Sequence, residues 1–178
     1  MVLSKMQKGG FLKILDATCG PKGMWYQKTH PYVTFLDRRS GTYGKYKIKP
    51  DVVSDWKDMP FDDNTFDMVI FDPPHIIQNA DSGHMVDEYG RLGIETWQQE
   101  LRVGFEQCFR VLKKDGFFVL KWAETKRWGH SIPIENILKM IPYKPLFGTR
   151  TGNSNNNHWI VFIKQRPEKP LLTVEQKV

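Results

Sequence analysis

The chain alternates between short apolar runs, several of which end on an acid, and polar connections punctuated by glycine and proline. Phe11–Asp16, Tyr32–Asp37, Asp51–Asp55 (DVVSD) and Phe66–Asp72 (FDMVIFD) have that form. Gly116–Trp122 (GFFVLKW) and Trp159–Lys164 (WIVFIK) are further runs, the last preceded by a weaker one near Pro145–Thr149. Near-continuous apolar runs of this length predict strands buried on both faces, as in a mainly parallel sheet. A helix is predicted over Thr96–Lys113, where Trp97, Leu101, Phe105, Cys108, Phe109 and Leu112 recur at helical spacing. Thr96 with Gln99 makes a capping-box pattern. Lys113-Lys114 would place cations in the last turn, and Asp115-Gly116 would stop it. A second helix is predicted over Ile134–Met140, entered at Pro133, and a short one from near Met24. Between Asp37 and Asp51 the residues predict loop. Strands alternating with helices predict a doubly wound α/β layer structure with pared-down helices.

In open α/β sheets, ligands bind outside the carboxyl ends of the strands. Asp16, Asp37, Asp55 and Asp72 all fall there on this reading. Each acid alone is an ordinary turn residue, but four together point to a ligand with a ribose, an amine and a base. After the first strand, Gly20 and Gly23 in Asp16-Ala17-Thr18-Cys19-Gly20-Pro21-Lys22-Gly23 would let the backbone turn tightly and approach that ligand. Asp37 follows Asp16 at the roughly 20-residue spacing of an acid that binds a ribose diol. Dinucleotide enzymes share that spacing, so it does not choose the cofactor.

The combination of motifs resembles class I S-adenosylmethionine-dependent methyltransferases, from about Leu12 to Lys164. Asp16–Gly23 resembles their first motif in its D-P-x-C-G-S-G form, with Thr18 and Pro21-Lys22 departing from it. Met59-Pro60-Phe61-Asp62-Asp63-Asn64-Thr65-Phe66-Asp67 is similar to the family's approach to its fourth strand, and Arg110-Val111-Leu112-Lys113-Lys114-Asp115-Gly116 to its turn into the fifth. The resemblance implies a Rossmann-like fold: a mainly parallel seven-stranded sheet with an antiparallel last strand. It implies S-adenosyl-L-methionine as cofactor, held by Asp16, Thr18, Cys19 and Gly20, by Asp37 at the ribose, and by Asp55-Trp56 at the adenine.

Asp72-Pro73-Pro74-His75 resembles the D/N-P-P-Y/F/W motif of the amino-methyltransferases, with His75 in place of the aromatic residue that stacks on the target ring. Two consecutive prolines fix the backbone and remove two N–H donors. A carboxylate and a carbonyl converging there suit an exocyclic NH2: they take its two hydrogens and leave the nitrogen aimed at the methyl group. The segment 76–95 has little periodicity and sits where a substrate lid would be. Its His84 and Arg91, with Lys121 and Arg150, are candidate substrate contacts. No His/Cys cluster has metal spacing.

At 178 residues with 40% hydrophobic and 26% charged content, the chain fits a single domain, with a core over about 11–165 and a loose tail at 166–178. The two cysteines form no CxxC pair, which suits a reducing cytoplasm. No run approaches membrane-spanning length. A net charge of +6 suits a polyanion. The sequence therefore predicts N-methylation of a base amine in DNA or RNA. A small-molecule or protein amine is the alternative, and a non-catalytic cofactor-binding module a third reading. There is no room for a separate DNA-recognition segment; RNA shape, a homodimer or a partner subunit would stand in for it.

Overall fold

The computed structural model describes residues 11–79, 83–125, 132–151 and 155–165. Its strands are β1 (Ile14–Asp16), β2 (Val33–Asp37), β3 (Gly41–Tyr43), β4 (Tyr46–Ile48), β5 (Val52–Val53), β6 (Phe66–Phe71), β7 (Leu112–Thr125), β8 (Phe147–Thr151) and β9 (Asn155–Ile163). The helices are α1 (His84–Tyr89), α2 (Trp97–Val111) and α3 (Ile134–Leu138). Seven strands form one sheet in the order β5-β2-β1-β6-β7-β9-β8, and β3 with β4 form a separate pair. Neighbours from β5 to β7 run parallel, and β9 lies antiparallel between β7 and β8. This is the predicted Rossmann-like sheet with an antiparallel last strand.

The core forms where β6 and β7 meet α2. Leu101, Phe105, Cys108 and Phe109 of α2 are buried, as their spacing predicts. Phe105 packs edge-on against Phe71 at 5.7 Å and Phe118 at 6.2 Å. Each such ring contributes about 1.5–3 kcal/mol by burial. At Gly104 an added Cβ would lie 2.5 Å from the Trp56 ring and 2.9 Å from Phe71, so glycine there is what lets the Trp56 ring approach the helix.

Four local expectations are corrected. No helix starts near Met24: the β1–β2 connection is irregular, with Lys22 at φ 58 between Pro21 and Gly23. Trp25 instead hooks back, donating its indole N–H to Asp16 Oδ2 at 2.6 Å and packing on Phe35. The predicted loop after Asp37 contains the β3–β4 hairpin. Its two-residue turn has Gly44 in the first position at φ 56, which glycine adopts without strain. Helix α2 ends at Val111 because Leu112 already pairs with Phe66 in the sheet. Lys113 accordingly reaches Asp67 at 2.8 Å in place of the helix terminus. The capping box is replaced too: Thr96 Oγ1 donates to Glu100 Oε1 at 2.7 Å, and the same oxygen accepts from Gly93 N at 3.2 Å.

Candidate active site

A cavity of about 460 Å³ opens at the carboxyl ends of β1, β2 and β6. Thr18, Cys19, Gly20, Asp37, Trp56 and Asp72 line it, together with Pro74 and Lys121. The loop after β1 is pinned by backbone bonds from Ala17 N to Ile70 O and from Cys19 N to Leu36 O, both 2.9 Å. Gly20 adopts φ 49 and directs its N–H to Asp37 Oδ2 at 2.9 Å. Thr18 Oγ1 accepts from Asp72 N at 2.9 Å, tying the loop after β1 to the turn after β6.

Asp16 lies beneath the cavity rather than on its wall, fully buried. Its carboxylate accepts from the Trp25 indole and from Thr18 N at 3.2 Å. Burial dominates these bonds and pushes its carboxyl up to about 7. Burial also pushes the Cys19 thiol far up, which keeps it from acting as a nucleophile.

Asp37 is buried at the end of β2, with Oδ1 accepting from Arg39 N at 2.8 Å and Arg39 Nε at 3.3 Å. Arg39 then reaches across to α1. Its guanidinium donates to the carbonyls of Val86, Asp87 and Glu88 at 3.3, 3.0 and 3.3 Å. A cation at a helix carboxyl terminus meets orphan carbonyls and the favourable end of the dipole. This holds Glu88, Tyr89 and Gly90 against the cavity, where an added Cβ on Gly20 would lie 3.6 Å from Glu88 O. Hydrogen bonding to the Glu88 carboxylate, with some burial, pushes the Tyr46 hydroxyl up to about 12; burial and then Glu88 raise Tyr89 as well.

At the other end, Lys121 Nζ donates to Asp72 Oδ2 at 2.5 Å, and its ammonium lies 5.9 Å from the Trp159 ring centroid. His75 does not line the cavity. Its ring packs against Tyr89 at 5.9 Å and Trp122 at 6.4 Å, with Nδ1 buried and lacking a partner among the described residues. Burial lowers its pKa, so the imidazole is neutral at neutral pH.

Several predicted site residues stand apart. Asp55 is off the cavity wall, because its carboxylate turns back to accept from Lys57 N at 2.9 Å. Arg91 donates to Gln78 O at 3.3 Å, and Arg150 lies on the exposed edge strand β8. Neither lines the cavity. His84 begins α1, and its side chain is outside the described residues. Conversely, Arg39, Tyr89 and Trp159 belong to the site although no motif marks them. Arg39 stands two residues past a strand-end acid, which is the one local signal it offers.

Searches with the whole chain give likeness in structure alone: no protein-family model and no curated protein sequence matches it. Among solved structures, it is similar to the PH0226 protein from Pyrococcus horikoshii OT3, with a TM-score of 0.61 and 16% identity over 86% of this chain and 83% of that one. It is similar to the N-methyltransferase NodS from Bradyrhizobium japonicum WM9, with a TM-score of 0.58 and 12% identity over 87% and 86% of the two chains. It also resembles the 1,6-didemethyltoxoflavin-N1-methyltransferase of Burkholderia thailandensis, solved with 1,6-didemethyltoxoflavin and S-adenosylhomocysteine. That likeness has a TM-score of 0.54 and 13% identity over 86% and 71% of the chains. At these identities the likeness is one of fold: the chain has the Rossmann-like fold that these structures, two of them methyltransferases, share.

Proposed function

We propose that the protein is an S-adenosylmethionine-dependent methyltransferase that methylates an exocyclic amine of a base in DNA or RNA. The observation that carries this reading is the placement of Asp72, after β6, on the wall of the same cavity as Gly20, Asp37 and Trp56. The residues present fit the cofactor. Gly20 keeps the loop free of a side chain where it passes Glu88. The Asp37 carboxylate has four acceptor positions, and Gly20 N, Arg39 N and Arg39 Nε take three, leaving one for a ribose hydroxyl. Trp56 offers an apolar surface for the adenine ring.

When bound, the cofactor supplies an electrophilic methyl group: a carbon–nitrogen bond forms as the carbon–sulfur bond breaks, and that bond's electron pair stays on sulfur. The chain's own residues position the acceptor. Lys121 occupies Asp72 Oδ2, while Oδ1 has no partner among the described residues and is available to an amine hydrogen. Pro73 and Pro74 contribute no N–H to compete for the carbonyls of the turn. A hydrogen-bonded amine held in one orientation gains chiefly by pre-paid orientational entropy. The Asp72 carboxylate then receives, or passes to solvent, the proton the nitrogen sheds.

The +6 charge and the Arg38 side chain at the cavity rim support a polyanionic substrate. A small-molecule amine is the second reading, favoured by the 1,6-didemethyltoxoflavin bound in a protein of the same fold. Transfer of radiolabelled methyl groups to single-stranded DNA, structured RNA and a panel of small amines tests the two. Incorporation into nucleic acid that is lost in Asp72→Ala supports the proposal, and incorporation into small amines alone contradicts it.

A further inference from the structure

The fourth position of the Asp72-Pro73-Pro74-His75 turn cannot offer a stacking face here. His75 is off the cavity wall, and its ring is committed to Tyr89 and Trp122. Besides Trp56, assigned above to the adenine, two aromatic side chains line the cavity: Tyr89, from the end of α1, and Trp159, from β9. The Trp159 ring already carries the Lys121 ammonium at 5.9 Å. Tyr89 is 37% exposed, its ring backed by His75 at 40° between planes. Its position is set by the Arg39 guanidinium on the carbonyls that precede it and by the His75 ring behind it.

Resting on the reading above, we propose that Tyr89 is the residue on which the target base stacks. The aromatic function of the turn has moved from its fourth position to the lid helix, and His75 serves as the support behind Tyr89. A ring backed by His75 and anchored through its backbone offers stacking area with little ordering cost, and stacking accepts any base because every base has a π-face. The chemical class recognised is a planar heteroaromatic ring carrying an exocyclic amine, presented unpaired so that it can enter beside Asp72.

The test uses the full chain saturated with S-adenosylhomocysteine, titrated into short single-stranded ribo- and deoxyribo-oligonucleotides carrying one 2-aminopurine. Wild type and Tyr89→Phe are expected to quench the probe with affinities within about threefold of each other, since both keep the ring. Tyr89→Leu is expected to bind at least about tenfold more weakly while holding S-adenosylhomocysteine as wild type does, which shows that the fold and cofactor site persist. Quenching by Tyr89→Leu at wild-type affinity overturns the assignment and leaves the methyltransferase reading standing. A wild type that binds S-adenosylhomocysteine but neither oligonucleotide overturns the nucleic-acid reading and this proposal with it. A wild type that binds no S-adenosylhomocysteine overturns the methyltransferase reading itself.

Discussion

Lys121 Nζ donates to Asp72 Oδ2 at 2.5 Å, joining the end of β7 to the turn after β6. With their side chains 20% and 13% exposed, the two are sheltered enough for the pair to hold one geometry. Asp72→Ala is expected to lower methyl transfer by about a hundredfold or more, as loss of an orienting group does, with S-adenosylhomocysteine affinity little changed. Lys121→Ala is expected to cost about tenfold through loss of that orientation, with partial recovery in Lys121→Arg. Steady-state transfer rates alongside calorimetric affinities check both.

Arg39 couples Asp37 to α1, since one side chain bonds that carboxylate and three carbonyls at the end of the helix. Arg39→Ala leaves those carbonyls without their cation. The amides of residues 86–90 are then expected to exchange with deuterium faster, while those of β6 and β7 keep their protection. Unchanged exchange in α1 would show that Arg39 does not hold that helix.

Gly104→Ala is expected to destabilise the fold. Alanine gains about 1 kcal/mol of helix propensity. Its Cβ, however, would sit 2.5 Å from Trp56 and 2.9 Å from Phe71, both in the core. Overpacking of that kind costs about 1–3 kcal/mol. A lower thermal midpoint, with weaker cofactor binding through the displaced Trp56 ring, is the expected result.

Most of the sheet was legible because its strands are near-continuously apolar, but the expected burial on both faces is not met: β7 and β9 bury alternate residues fully and leave the others partly exposed, as at Phe117, and β8 is exposed throughout. The seven-stranded sheet with its antiparallel last strand followed from the resemblance rather than from the runs themselves. Helix α2 was legible through Leu101, Phe105 and Cys108, whose common face is the core face. Its end was not, since Leu112 is drawn off the helix by pairing with Phe66, a long-range contact that no local pattern records. The β3–β4 hairpin was missed because its strands are three residues each and mostly exposed, leaving no apolar period to see. On the cavity wall, Gly20, Asp37 and Asp72 were expected from their positions at strand ends and Trp56 from the resemblance. Arg39 and Tyr89 were not, because their roles arise only when α1 folds over the cavity.

Asp16 links the site to stability. Burial raises its carboxyl from the ordinary value of 3.8 to about 7. Between those values the native chain keeps a proton that the unfolded chain has released. Its contribution is therefore full below about pH 4 and is lost as pH rises through about 7. Asp16→Asn cannot ionise, so its stability is expected to fall less than that of wild type between pH 5 and pH 8. Urea unfolding of the two proteins at each pH measures the difference; equal losses would place the Asp16 carboxyl near its ordinary value.

The most direct measurement is calorimetric titration with S-adenosylmethionine of wild type and Asp37→Ala, both verified as folded. The account predicts one binding site per chain in wild type and a markedly weaker one in Asp37→Ala, through the lost ribose contact. Absence of binding by the folded wild-type protein, or equal affinity in the two, would contradict it.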